Sequence, residues 1–281
     1  DGDVVITTDI AVEGVHFRTD WSTSIQIGQR IAAQNFSDIA AMGAVPVAIT
    51  VALAVPADTH ITWIEGLMLG IEAECKPLGV AVVGGDMSRS DLKVISITAI
   101  GHRRGLPAVT RGEAAVGDIV AVAGRLGYSA AGLACLLRGH RSPREAVDAF
   151  QTPTPPYEAG PAAAKAGATA MIDISDGLIA DLGHIAKASG VNIDLTAEGV
   201  EPDEFLLNLA RNMAEDPRLW VLSGGEDHAL VAIFPPKKKI PPMFRPIGVV
   251  TEAQEGGPLV TVEGALPVST KGNDHFAVPQ S

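Results

Sequence analysis

Acidic residues recur in this sequence directly after apolar or hydroxyl-bearing runs. VVITTD reaches Asp9 through Thr7 and Thr8, and VAVVGGD reaches Asp86 through a glycine pair. AMIDISD brings Asp173 and Asp176, and LWVLSGGED brings Glu226 and Asp227. Asp38 stands among apolar residues in IAAQNFSDIAAMGA. A carboxylate in such surroundings is costly unless it is paired or binds metal, and few Lys or Arg residues lie close in sequence. Hard oxygen donors, including the hydroxyls of Thr7, Thr8 and Ser175, suit Mg²⁺, which binds through one or two carboxylates plus substrate phosphates. The Gly pairs of GGD and GGED would let the backbone approach a ligand closely. A helix opening at Asp176-Gly177 would offer N–H groups to an anion. Any one Asp after a strand is an ordinary cap or turn residue. Several acidic endings in one chain favour a shared metal–phosphate site.

Other chemistries lack their signatures. There is no G-x-x-x-x-G-K-[ST], no H-E-x-x-H, no G-x-S-x-G elbow and no protein-kinase catalytic set. His16 taken alone reads as a polar surface or capping residue.

The elements that must position these residues follow from periodicity. Strands are expected over 4–8, 47–53, 80–83 and 92–101, with helices over 27–41 and 61–76, the second closed by Pro77. The stretch 102–118 changes composition and makes a plausible junction between 1–108 and 109–281. Beyond it, strands are expected over 118–123, 170–174, 219–222, 229–234 and 246–250. Helices are expected over 128–138 and 176–189, the latter capped by Ser175 or Asp176 and ended by Gly190. Residues 140–160 read as a long surface connection around one short helix, and PPKKKIPP as a solvated turn. Strands alternating with helices in each half indicate two α/β or α+β domains.

Composition bounds the function. With 281 residues and 47% hydrophobic content the chain can bury a sizeable core; only 4% is aromatic, so Ala, Val, Ile and Leu must build it. A net charge of -12 opposes sequence-independent nucleic-acid binding and an anionic membrane surface. Anionic metabolites remain accessible where metal ions invert the local charge. The apolar stretch 39–57 is long enough for a membrane span, but Gly43, Pro46 and Pro56 make it a helix end, a turn and a strand. Cys75 and Cys135 lack metal-ligand spacing and read as reduced packing residues of a cytoplasmic protein. No signal peptide is visible. The first residue is not Met, which fits a processed chain or part of a longer one.

In order, TTDIAVEGVHF, NFSDIAAMGA, VVGGDMSRS, GRLGYSAAGL, MIDISDGLIADL and SGGEDHAL together resemble the thiamine-monophosphate kinase family, within the aminoimidazole-ribonucleotide-synthetase-like superfamily. The resemblance spans essentially the whole chain. GGD and DGL are shared across the superfamily, whereas TTD…EGVHF is the discriminating piece. The resemblance implies an N-terminal α/β domain that pairs in a homodimer, a C-terminal α+β domain, and a site in the cleft between them. It implies transfer from ATP to thiamine monophosphate with several Mg²⁺ ions. It assigns Thr7, Thr8, Asp9, Asp38, Asp86, Asp173 and Asp176 to metal, and Gly85, Asp86, Arg111 and Ser175 to ATP. His16, Glu226 and Phe276 fall to the thiamine phosphate. No dedicated catalytic base is implied.

Two departures stand out. The family has a Gly-Asp-Asp segment upstream of the first strand, whose acidic residue helps hold the metals, and the sequence starts after that point. Either that segment precedes it or the site has one ligand fewer. The family commonly has Tyr after GGED; here it is His228, to which no role is assigned. Rival readings are another superfamily enzyme, such as a purine-pathway or selenophosphate synthetase, and a non-catalytic nucleotide sensor.

Overall fold

A computed structural model describes residues 3–267. The first half runs β1 (Val4–Val12), α1 (Ser24–Ala41), β2 (Val45–Val55), α2 (Ile61–Leu78), β3 (Ala81–Arg89) and β4 (Val94–His102). Its sheet has the order β1-β4-β2-β3. β1 and β2 each pair antiparallel with β4, and β2 pairs parallel with β3 through the α2 crossover. Thr23 and Gln26 close a capping box that starts α1. From there Ile27, Ile31, Phe36 and Ile39 pack with Ile49, Leu67, Ile95 and Ile97 in one core. Residues alternate across a strand. In β1 this sends Thr7, Asp9 and the buried Ala11 toward the helices, and Val4, Ile6, Thr8 and Ile10 onto the open face.

The second half runs β5 (Ile119–Ala123), α3 (Tyr128–Leu137), α4 (Arg144–Gln151), α5 (Ala159–Ala166), β6 (Ala170–Asp173), α6 (Leu178–Ser189) and β7 (Asn192–Leu195). α7 (Glu204–Met213), α8 (Pro217–Ser223), β8 (Leu230–Phe234), β9 (Arg245–Thr251) and β10 (Val260–Val262) complete it. Its six strands lie in the order β10-β7-β9-β5-β8-β6, and among them only β10 and β7 pair parallel. The two expected classes, α/β then α+β, match these halves. Cys75 and Cys135 are buried and free. Among the described residues no helix is long and apolar enough to cross a membrane.

Several expected boundaries moved. β1 does not end at Thr8 and Asp9 but continues to Val12, and β3 passes through Gly84, Gly85 and Asp86 to Arg89. Ladder hydrogen bonds come from the backbone, so polar side chains need not stop a strand that keeps its partner. β1 stays paired with β4 from Val4↔His102 to Val12↔Val94, and β3 with β2 to Val55↔Arg89. Residues 219–222 are helical, in α8, rather than a strand. A short apolar run does not distinguish the two; the Asp216 cap and Pro217 in the first turn decide for helix. α2 continues through Pro77 to Leu78 and stops at Gly79, which is left-handed. The expected surface connection after His140 holds α4 and leads into α5. β7, α7 and β10 had no expectation.

Candidate functional site

The inner face of β1 meets α1 where Thr7 Oγ1 donates to Asp38 Oδ2 at 2.7 Å. From the second half, Asp173 at the end of β6 joins them: Ser37 Oγ on α1 donates to Asp173 Oδ2 at 3.2 Å. Glu226 sits beside the same helix, 2.9 Å from Arg30 Nη2. The Arg30 guanidinium also lies 4.1 Å over the Phe150 ring. α1 is therefore the element on which carboxylates from both halves converge.

The electrostatics are those of an anionic cluster. Burial, then Asp173 and Asp9, push Asp38 up to about 7. Burial also raises Asp9, with Asp173 and Glu226 adding to it and His228 opposing. Asp9 Oδ2 is buried without a hydrogen-bond partner. An orphaned carboxylate oxygen among like charges is expensive unless a cation completes it. The donor set of Thr7, Asp9, Asp38 and Asp173 is all oxygen, so these residues fit Mg²⁺.

His228 follows this cluster and is fully buried. Its Nδ1 lies 3.2 Å from Asp173 Oδ2 and its Nε2 3.6 Å from Glu226 Oε2. Burial alone would lower the imidazole's pKa; the two carboxylates more than offset it and raise it. Burial would likewise raise Glu226, but Arg30 and His228 outweigh it and hold that carboxyl well below its usual range. Glu226 (φ 67°) and His228 (φ 50°) are both left-handed, a costly backbone for side chains of this size. The strap is pinned by Glu226 N to Ser175 O and His228 N to Ile174 O, both 2.9 Å.

The second glycine of GGED serves this docking rather than an open ligand surface, while the first abuts the Trp220 carbonyl. A Cβ on Gly225 would lie 2.3 Å from Ser175 O, so the two backbones could not meet. Gly85 likewise abuts the Val51 carbonyl. The expected anion-binding opening at Asp176-Gly177 is filled from within. Asp181 Oδ2 accepts the N–H groups of Ser175, Asp176 and Gly177 at 3.0, 3.0 and 3.1 Å. One turn into α6, a carboxylate reaches those donors first. Asp176 instead groups with Asp181 and His184, their ligand atoms within 4.8 Å of one another.

Thr8 and Asp86 lie elsewhere. Thr8 Oγ1 meets Thr98 Oγ1 at 2.8 Å on the open face. Asp86 is exposed and registers with Ala52, whose neighbours Val51 and Leu53 are buried, so it shares that open face. Arg111 is exposed; its carbonyl takes a hydrogen bond from Ser189 at the far end of α6. His16 lies in the turn beyond β1, where Nδ1 accepts from Val12 N at 3.1 Å. That bond leaves the proton of the neutral ring on Nε2. Phe276 falls outside the described residues. Beside Glu226 a cavity of 430 Å³ is walled by Ala130, Leu133, Leu137 and Phe150.

Arg30, Ser37 and Asp181 were absent from the sequence expectation, and His228 was named there without a role. Ser37 adjoins a residue that it did name, and Asp181 is an acid in the first turn of a glycine-led helix. Arg30 had no local signal.

Comparisons place the chain among known proteins. The AIR synthase related protein N-terminal domain matches residues 1–102 and the corresponding C-terminal domain matches residues 115–260. A thiamine-monophosphate kinase of Mycobacterium tuberculosis is 43% identical over 282 residues, covering 100% of this chain and 83% of its own. One from Corynebacterium glutamicum is 43% identical over 276 residues, covering 95% and 82%. The solved structure of AaThiL complexed with AMPPCP and TMP superposes with a TM-score of 0.88 at 33% identity, covering 97% of this chain and 87% of that one.

Proposed function

Because the chain belongs to the AIR synthase related family, and within it to the thiamine-monophosphate kinases, we propose that it transfers the γ-phosphoryl group of ATP to thiamine monophosphate, giving ADP and thiamine diphosphate. The observation that best supports this reading is the buried carboxylate cluster of Asp9, Asp38 and Asp173 with its orphaned Asp9 oxygen. It gives an otherwise unaffordable set of charges a purpose.

The chemistry needs no strong base. A phosphomonoester has a second pKa of about 6 and is mostly ionised at neutral pH. An acceptor oxygen bonds to the γ-phosphorus as its bond to the leaving ADP oxygen breaks, in line. The obstacle is repulsion between two anions. Mg²⁺ held by Thr7, Asp9, Asp38 and Asp173 would neutralise that charge when bound. We assign His16 to the acceptor phosphate, donating from Nε2. Glu226 is assigned to the cationic thiazolium, with the adjoining cavity for its rings. Asp176, Ser175, Gly85 and Arg111 keep their assigned metal and nucleotide roles, and Phe276 its place against the substrate rings.

We further infer a homodimer through the open face of the first sheet, with the domain boundary at 108/109. Val4, Ile6 and Ile10 on that face are each more than half exposed. Apolar surface of this kind marks an interaction site. Such a dimer would put Thr8 and Asp86 at the subunit boundary, apart from the Thr7, Asp9, Asp38 and Asp173 cluster, and we keep their assigned metal role there.

The direct test is ADP release from ATP with thiamine monophosphate, with and without Mg²⁺. Magnesium-dependent release matched by thiamine diphosphate is expected. ATP binding without turnover would replace the kinase by a nucleotide sensor.

A further inference from the structure

We propose that His228 is a positioning residue, joining the phosphate-side carboxylate Asp173 to the acceptor-side carboxylate Glu226 so that one ring aligns both substrates. This rests on the kinase reading above. Its geometry is specific. The ring is wholly buried, and its backbone is pinned to Ile174 O in a left-handed conformation. Nδ1 is within hydrogen-bond reach of Asp173 Oδ2 at 3.2 Å. Nε2 faces Glu226 Oε2 at 3.6 Å, just beyond that reach.

Both Nε2 and Glu226 Oε2 are buried and lack a hydrogen bond. Arg30 pairs with Oε2 by charge at 2.9 Å but off the hydrogen-bond direction. Nε2 thus has no closer partner than Oε2, which itself holds only the Arg30 charge, and a buried ring nitrogen left so is rare in a folded interior. A shift of a few tenths of an ångström in Glu226 satisfies both. Engagement of Glu226 by the acceptor supplies that shift, and the ring passes it to Asp173. A histidine kept only for packing would not meet a carboxylate on each nitrogen.

Two substitutions separate the contacts. His228→Asn keeps a donor near Nδ1 and loses the Glu226 side; Asn also tolerates the left-handed backbone. His228→Gln keeps a donor near Nε2 and loses the Asp173 side. The Asn variant is expected to raise KM for thiamine monophosphate about tenfold with kcat nearly unchanged, and the Gln variant to lower kcat about tenfold with KM nearly unchanged. Wild-type kcat and KM in both, or equal losses in both that track a fall in Tm, would overturn the proposal. If a variant does not fold, the wild-type imidazole proton resonances decide. A downfield move of the Nε2 proton on adding thiamine monophosphate supports the coupling, and an unmoved signal overturns it. A wild-type protein inert toward thiamine monophosphate would instead overturn the kinase reading, and this inference with it.

Discussion

Asp38 shows how function sets stability at a single residue. Burial, then Asp173 and Asp9, hold its folded carboxyl up at about 7, against an ordinary value of 3.8. Between those values the folded chain binds more protons than the unfolded one. Without divalent metal, its stability therefore falls as pH rises from about 4 to about 7. His228, raised from 6.5, acts in the same direction above that value. Glu226, lowered from 4.5, stabilises above that value and loses the effect only in acid. The metal-free protein should thus melt at a higher temperature at pH 5.5 than at pH 7.5, and Mg²⁺ at pH 7.5 should recover the difference by binding the folded state. Asp38→Asn should flatten this pH dependence and raise the metal-free Tm at pH 7.5. Its turnover should fall by about 100-fold or more, as expected for a lost metal ligand. A Tm indifferent to pH and to the substitution would sink the charged-cluster reading.

At the scale of elements, the strap 224–228 is held by backbone meeting backbone. Gly225→Ala pushes a Cβ into the Ser175 carbonyl, which cannot swing aside as a side-chain tip would. A cost of about 2 kcal/mol is expected, as for overpacking, with reduced turnover because Glu226 and His228 move with the strap. Gly183→Ala is the control, since nothing lies within 4 Å of its Cβ. In a helix interior that change should stabilise, by up to about 1 kcal/mol. Urea denaturation of the two variants decides; equal midpoints would mean the strap has room that the geometry denies. The sequence marked this strap as a site from its glycines and acids. It missed that Gly225 serves docking against Ser175, just beyond β6, because a close approach between segments some fifty residues apart has no local signature.

For the whole molecule, the contacts that matter join the halves: Ser37 to Asp173, Arg30 to Glu226, and Gln26 to Gln151. Arg30, Gln26 and Ser37 all lie on α1, so these contacts between the halves are built against one helix face. The face of the first sheet turned away from α1 is the open apolar one. Ile6→Glu combined with Ile10→Glu should give a monomer by sedimentation, since two buried charges in an apolar interface outweigh the contact area. A wild-type protein that already sediments as a monomer would remove the dimer.

The sequence by itself determined the alternation of strands and helices and the two-domain α/β and α+β class, and it marked Asp9, Asp38, Asp173 and Glu226 as candidates. Those signals are local: periodicity, caps, and an acid next to its glycines. Tertiary structure decided which of those acids meet. Strand register separates Thr7 and Asp9 from their neighbour Thr8, because a one-residue step turns a side chain to the other face of the sheet. It decided that Asp181 fills the anion opening, and that His228 lies between two carboxylates. Those outcomes depend on how β6, α1 and the strap pack in three dimensions, which no short window of the chain contains.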